Sequence, residues 1–137
     1  MSYQIQKKDL PLSLTKKEAN ELAKLLNDLP SPVRVGPWDI KIEAREGYPE
    51  GLESHIPWGL YSPDRNLILI CRCDEIPNKY WLAGTVIHEL LHAMWHVAHL
   101  DDKSVKEELA VTMLERGMVS LFRDNPKLLK WWSKAVA

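Results

Sequence analysis

Thr85-Val86-Ile87-His88-Glu89-Leu90-Leu91-His92-Ala93-Met94-Trp95 carries the pattern H-E-x-x-H inside a run that reads as helix. Histidines four apart project from one face of an α-helix, so His88 and His92 can place both imidazoles on one zinc ion. Glu89 stands one position on, within reach of a water on that ion, which outlines a hydrolytic site. Val86, Ile87, Leu90, Leu91 and Trp95 predict a largely buried helix. In that setting two unliganded histidines and a carboxylate would be costly, so the surroundings favour a metal. The alternative is a pair of core histidines satisfied by hydrogen bonds.

A catalytic zinc takes three protein ligands and keeps a fourth position for water. His96, His99, Glu107 and Glu108 are the candidates for the third. On a wheel of about 100° per residue, Ala110, Val111, Leu114, Met118 and Leu121 share one face of the following helix, with Arg116 and Arg123 opposite. Glu107 falls in the middle of that apolar face and Glu108 at its border. A carboxylate in a buried stripe requires a cation, so Glu107 is the expected ligand. Glu108 fits the plainer role of a first-turn acid favoured by the helix dipole. His96 lies about 6 Å beyond His92 along a straight helix, a poor reach for the same ion. No glycine between His92 and His99 bends the chain back. Either histidine could instead contact substrate or support a ligand.

With His88, His92 and Glu107 on zinc, Glu89 is the expected general base, passing a proton from water to the leaving amine. Tyr61, ending a strand close in sequence, is the candidate hydroxyl at the oxyanion, against the plainer reading of a half-buried strand tyrosine. An extended peptide can add to an exposed sheet edge, and Trp58-Gly59-Leu60-Tyr61 is the candidate edge.

Before the motif, residues 1 to 12 read as a loose lead-in ending at Leu10-Pro11-Leu12. Thr15 and Glu18 form a capping box, and Ala19, Leu22, Ala23, Leu25, Leu26 and Leu29 recur at helical spacing until Pro30. Val33 to Ala44, with Trp38, Ile40 and Ile42 alternating, predicts a strand. Ile56 to Tyr61 and Leu67 to Cys71 predict two more, joined as a hairpin by Ser62-Pro63-Asp64-Arg65-Asn66. Asn78 or Lys79 opens the motif helix, which runs to about His99. A further helix is expected over Val105 to Arg123, and Asn125 caps a last one with Pro126 in its first turn. The fold class is therefore α+β: an N-terminal helix, a small three-stranded twisted sheet, the motif helix and a Glu-bearing helix.

At 137 residues the chain is long enough for one domain over 1–137 and short for a two-lobed protease. Eighteen basic and 19 acidic residues are spread along it, giving a net charge of -1, so nucleic acid is not expected as an obligatory partner. Without a membrane-spanning apolar run or a secretory start, the reading is cytoplasmic. Cys71 and Cys73 are too few for a disulfide framework. In a strand they would share a face and could join a metal site, though ordinary reduced residues are the simpler expectation.

Over roughly residues 56 to 130 the chain resembles the minimal gluzincin-type zinc metallopeptidases, with a layout similar to ImmA/IrrE-type proteins and to short H-E-x-x-H proteins of phages and prophages. The likeness rests on the Gly-Leu-Tyr strand, the apolar strand, Thr85 to Ala93, Glu107-Glu108-Leu109-Ala110 and Arg123-Asp124-Asn125-Pro126. It implies a minimal zincin-like fold and a zinc metalloendopeptidase acting on a protein or peptide substrate, for example a phage repressor. In that pattern a Glu three residues before an alanine ligates zinc, matching Glu107 and Ala110. Val111 stands where the family usually has Asn, and the spacing from His92 to Glu107 is shorter. SprT-like proteases, which act on DNA-bound proteins, are competing relatives, but they use a third histidine and basic regions not clear here. A non-catalytic regulatory protein using zinc as a staple is the alternative from another class.

Overall fold

In the computed structural model, residues 4–45, 58–100 and 104–137 are described. The first helix, α1 (Lys16–Asn27), starts at the expected capping box. Glu18 N–H donates to Thr15 Oγ1 at 3.1 Å, and Thr15 N–H donates to Glu18 Oε1 at 3.0 Å. Asn27 ends α1 and also clasps the chain before it, accepting from Ile5 N–H at 2.8 Å and donating to Ile5 C=O at 2.9 Å. Ile5 and Leu10 are buried, so the described part of the expected loose lead-in is packed. Its anchor lies 22 residues away in sequence, beyond the reach of local patterning.

The stretch expected as one strand is two: β1 (Val33–Val35) and β2 (Trp38–Ala44). Gly36 adopts a φ of 57°, and Val35 pairs with Trp38 across a tight hairpin. Left-handed backbone of this kind is what glycine accepts without strain. Two more strands, β3 (Gly59–Ser62) and β4 (Leu67–Ile70), form the expected antiparallel hairpin; Ile56 lies outside the described residues. The order is β1-β2-β4-β3, with β2 and β4 parallel, so the described residues form four strands rather than three. Among them β3 lies at an edge, where the sequence reading set Trp58-Gly59-Leu60-Tyr61.

Three helices complete the fold: α2 (Lys79–Val97), α3 (Glu107–Asp124) and α4 (Pro126–Val136). Asn78 caps α2 by accepting from Trp81 N–H at 2.9 Å. The period of two sorts the strands into faces. Val33, Ile40, Ile68 and Ile70 pack into one core with Leu22 and Leu26 of α1, Val86 and Leu90 of α2, Leu121 of α3 and Leu128 of α4. Leu60, Leu67, Leu69 and Cys71 form a small cluster of their own. The helices thus gather on one side of the sheet: α2 packs against β1, β3 and β4, α3 against β1, and α1 and α4 pack on α2. Trp131 ties α4 to α1 by donating from Nε1 to Leu25 C=O at 2.8 Å. No helix among the described residues is long and apolar enough to cross a membrane.

Asn125 precedes α4 as expected, with Pro126 in the first turn, yet its side chain makes no capping bond. It accepts from Arg34 N–H at 2.7 Å and donates to Arg34 C=O at 2.8 Å and to Leu121 C=O at 2.7 Å. One amide therefore pairs the outer backbone of β1 and joins it to the α3–α4 corner. Replacing it should cost stability without touching the motif helix. Asn125→Ala is expected to destabilise the fold by about 1–2 kcal/mol in denaturant unfolding, since three short bonds are lost, two of them exposed and the third part-buried.

Candidate functional site

Helical geometry divides the motif residues between two environments. His88 and His92 stand one turn apart on the open side of α2, both exposed, while Glu89 turns inward and is 5% exposed. Their Nε2 atoms are 3.1 Å apart and the rings cross at 76°. Leu91 and Trp95 are also exposed, so the expectation of a largely buried helix is corrected to one buried side, which includes Val86, Glu89, Leu90 and Ala93. The burial cost of two histidines therefore no longer argues for a metal. Their spacing is compatible with one, because two nitrogens each about 2.0–2.1 Å from a tetrahedral zinc stand about 3.3 Å apart. A single hydrogen bond between neutral rings gives a similar separation.

Glu89 meets the edge strand. The Tyr61 backbone N–H lies near its carboxylate and favours the charged form. Burial raises its pKa above the ordinary value, opposed by the nearby His92 and His88 and by the Tyr61 N–H. The approach depends on Gly59, where a Cβ would lie 2.8 Å from Glu89 Cγ and 2.9 Å from Glu89 Oε1. Cys71 N–H donates to Trp58 C=O at 2.7 Å, so by antiparallel alternation the polar backbone of Gly59 and Tyr61 faces away from β4.

Two hollows meet at this point, and both are bounded by Gly59, His88 and Glu89. One, of about 380 Å³, extends past Tyr61, His92, Trp95 and His96. The other, of about 370 Å³, extends past Trp58, Trp81, Gly84 and Thr85. Trp58 and Trp81 meet edge to face at 5.2 Å, and the Arg72 guanidinium lies 4.8 Å from the Trp58 ring centre. Together the hollows make a cleft between the β3 edge and α2, with His88 and Glu89 at its middle.

Tyr61 joins the predicted histidines and glutamate in this cleft, its ring 6.2 Å from that of His96. Burial raises the pKa of its hydroxyl, which keeps the proton at neutral pH. His96 forms cleft wall, whereas His99, at φ 56° beyond the end of α2, does not line either hollow. Glu107 and Glu108 are exposed in the first turn of α3, and Val111 is 53% exposed, so the wheel-based expectation of a buried Glu107 is corrected. A wheel shows which residues share a face, not which length of helix is covered. Here α3 crosses α2 at Gly117, where a Cβ would come 2.9 Å from Met94 Sδ, and Glu107 lies about 15 Å earlier along the axis. Among the described residues no three His, Cys, Asp or Glu side chains are grouped to hold a metal.

The cysteines do not share a face as a continuous strand would require. Cys71 belongs to the small cluster and Cys73 to the main core, because Arg72 between them is left-handed at φ 54°. Burial pushes the Cys73 thiol up to about 12 and raises Cys71, leaving both as protonated thiols. Sequence reasoning placed Gly59 on the candidate edge without its close approach to Glu89, and missed Trp81 and Gly84 as parts of the cleft. A signal was present, since Trp81, His88 and Trp95 recur every seven residues and so share one side of α2.

No protein-family model, curated protein or solved structure matches the chain. The geometry of the cleft alone carries the functional argument. Gly59→Ala should force β3 off α2, destabilising the fold by about 1–3 kcal/mol, the usual penalty of overpacking, measurable by denaturant unfolding. Gly84→Ala offers the contrast: no atom lies within 4 Å of the added methyl, and helix propensity should raise stability by up to about 1 kcal/mol.

Proposed function

We propose that this chain is a zinc-dependent hydrolase that cleaves a peptide bond in a protein substrate, with Glu89 as general base and His88 and His92 as zinc ligands. The observation that supports it most is the placing of a buried Glu89 beside two imidazole nitrogens 3.1 Å apart, in the middle of an open cleft. A zinc ion held by the histidines would supply a Lewis acid for the scissile carbonyl. The chain's own groups do the rest. An extended peptide lies along β3, bonded to the outward backbone of Gly59 and to the Tyr61 C=O, with side chains in the two hollows. Glu89, with the Tyr61 N–H near it, takes a proton from water and delivers it to the leaving amine. Its raised proton affinity suits both transfers. The Tyr61 hydroxyl is the donor assigned to the oxyanion. Glu107 enters only as a ligand brought in from the first turn of α3.

The zinc-staple alternative needs four protein ligands and leaves no open position for water. Metal content and peptide cleavage, measured on the same preparations, test the reading. About one zinc per chain is expected, lost in His88→Ala and His92→Ala. Glu89→Gln should keep the zinc and lower turnover by about 100-fold or more. Loss of zinc in Glu107→Gln would assign the third ligand, and retention would give that position to water. A parent chain that binds no zinc under replete conditions, or a Glu89→Gln variant with undiminished turnover, overturns the proposal.

A further inference from the structure

Away from the cleft, a groove of about 620 Å³ runs between α1 and α4 and reaches the start of α2. Lysines dominate its rim: Lys24 from α1, Lys79 from α2, and Lys127, Lys130 and Lys134 from α4. This clustering is not a consequence of composition, because acidic residues outnumber basic ones over the chain. Lys79 lies 3.8 Å from Glu21, while Lys24, Lys127, Lys130 and Lys134 make no ion pair among the described residues. The spacing on α4 sets three like charges along one face, an arrangement that isolated helices disfavour. Lys79 and Lys127 also stand in the first turns of α2 and α4, where the helix dipole opposes a cation and neither turn holds an acid. Local stability therefore does not account for this pattern. The floor is apolar, made by Leu25, Leu29 and the mostly buried Trp131.

We infer that this groove docks an acidic peptide segment carrying a bulky apolar residue, presented by a partner or substrate protein. Carboxylates would pair with the α4 lysines, which span about 10 Å from Lys127 to Lys134, and the apolar side chain would cover Trp131 and Leu25. A nucleic-acid strand fits less well: Glu21 and Asp28 stand on the same wall and would face its unbroken row of phosphates, while a peptide can place a neutral or basic residue there. Lys79 lies about 15 Å from Glu89 along α2, so a bound segment would anchor a protein next to the cleft. The inference stands apart from the hydrolase reading, since docking requires neither zinc nor Glu89.

Fluorescence anisotropy with a labelled peptide of glutamates interrupted by leucine and phenylalanine tests it on the full, metal-free chain. Saturable binding is expected, weakening as salt rises, absent for the same peptide with every glutamate replaced by glutamine, and unchanged by Glu89→Gln. Combined Lys127→Glu, Lys130→Glu and Lys134→Glu should weaken it by at least about tenfold. Substitution of the same three exposed lysines by Gln, which preserves helix propensity, must show a clear loss as well and carries the test if the charge reversal does not fold. Absence of saturable binding, equal binding by the glutamine variant, or tighter binding of an oligothymidylate of equal charge would overturn the proposal.

Discussion

The contact between Glu89 and the edge of the sheet is the constraint on which the site depends. A carboxylate removed from water favours a nearby donor, and the Tyr61 N–H, which β4 leaves unpaired, is near it. The approach is possible because Gly59 lets the strand come to the helix within the space of a single methyl group. Helix, strand and acid are therefore positioned together. The same contact sets the proton affinity of Glu89, since burial raises it and the two imidazoles and the backbone donor hold the rise in check.

From this contact the roles of α2 spread along its length. Its first turn borders the lysine-rimmed groove, its middle holds Trp81, Gly84 and the motif, and Met94 seats α3 at Gly117. The inward side carries Leu82, Val86, Leu90 and Ala93, while Trp81, His88 and Trp95 look out on the cleft. A helix with one side committed to the core and the other to a cleft needs few surrounding residues to be functional. That economy suits a sheet of four short strands.

The α3 helix shows how far electrostatic reasoning from a wheel extends. Leu114, Met118 and Leu121 do pack on the core, so the apolar face was correctly assigned in that half. Toward Glu107 the same face has no neighbour to bury it, and the carboxylate remains solvated, without the cation that burial would have demanded. The zinc ligation of Glu107 is for that reason a proposal and not a feature of the assembled site.

By itself the sequence determined the local features of this protein: the capping box of α1, the β3–β4 hairpin, the motif helix and the shared face of His88 and His92. These follow from backbone hydrogen bonding and helical or strand periodicity over a few residues. Tertiary structure alone decided the β2–β4 parallel pairing, the Asn27 and Asn125 clasps, the approach of Gly59 to Glu89 and the exposure of Glu107. Each joins segments distant in the chain or depends on which part of a helix a neighbour covers. Such contacts are chosen by the packing of the whole core, and local periodicity cannot encode them.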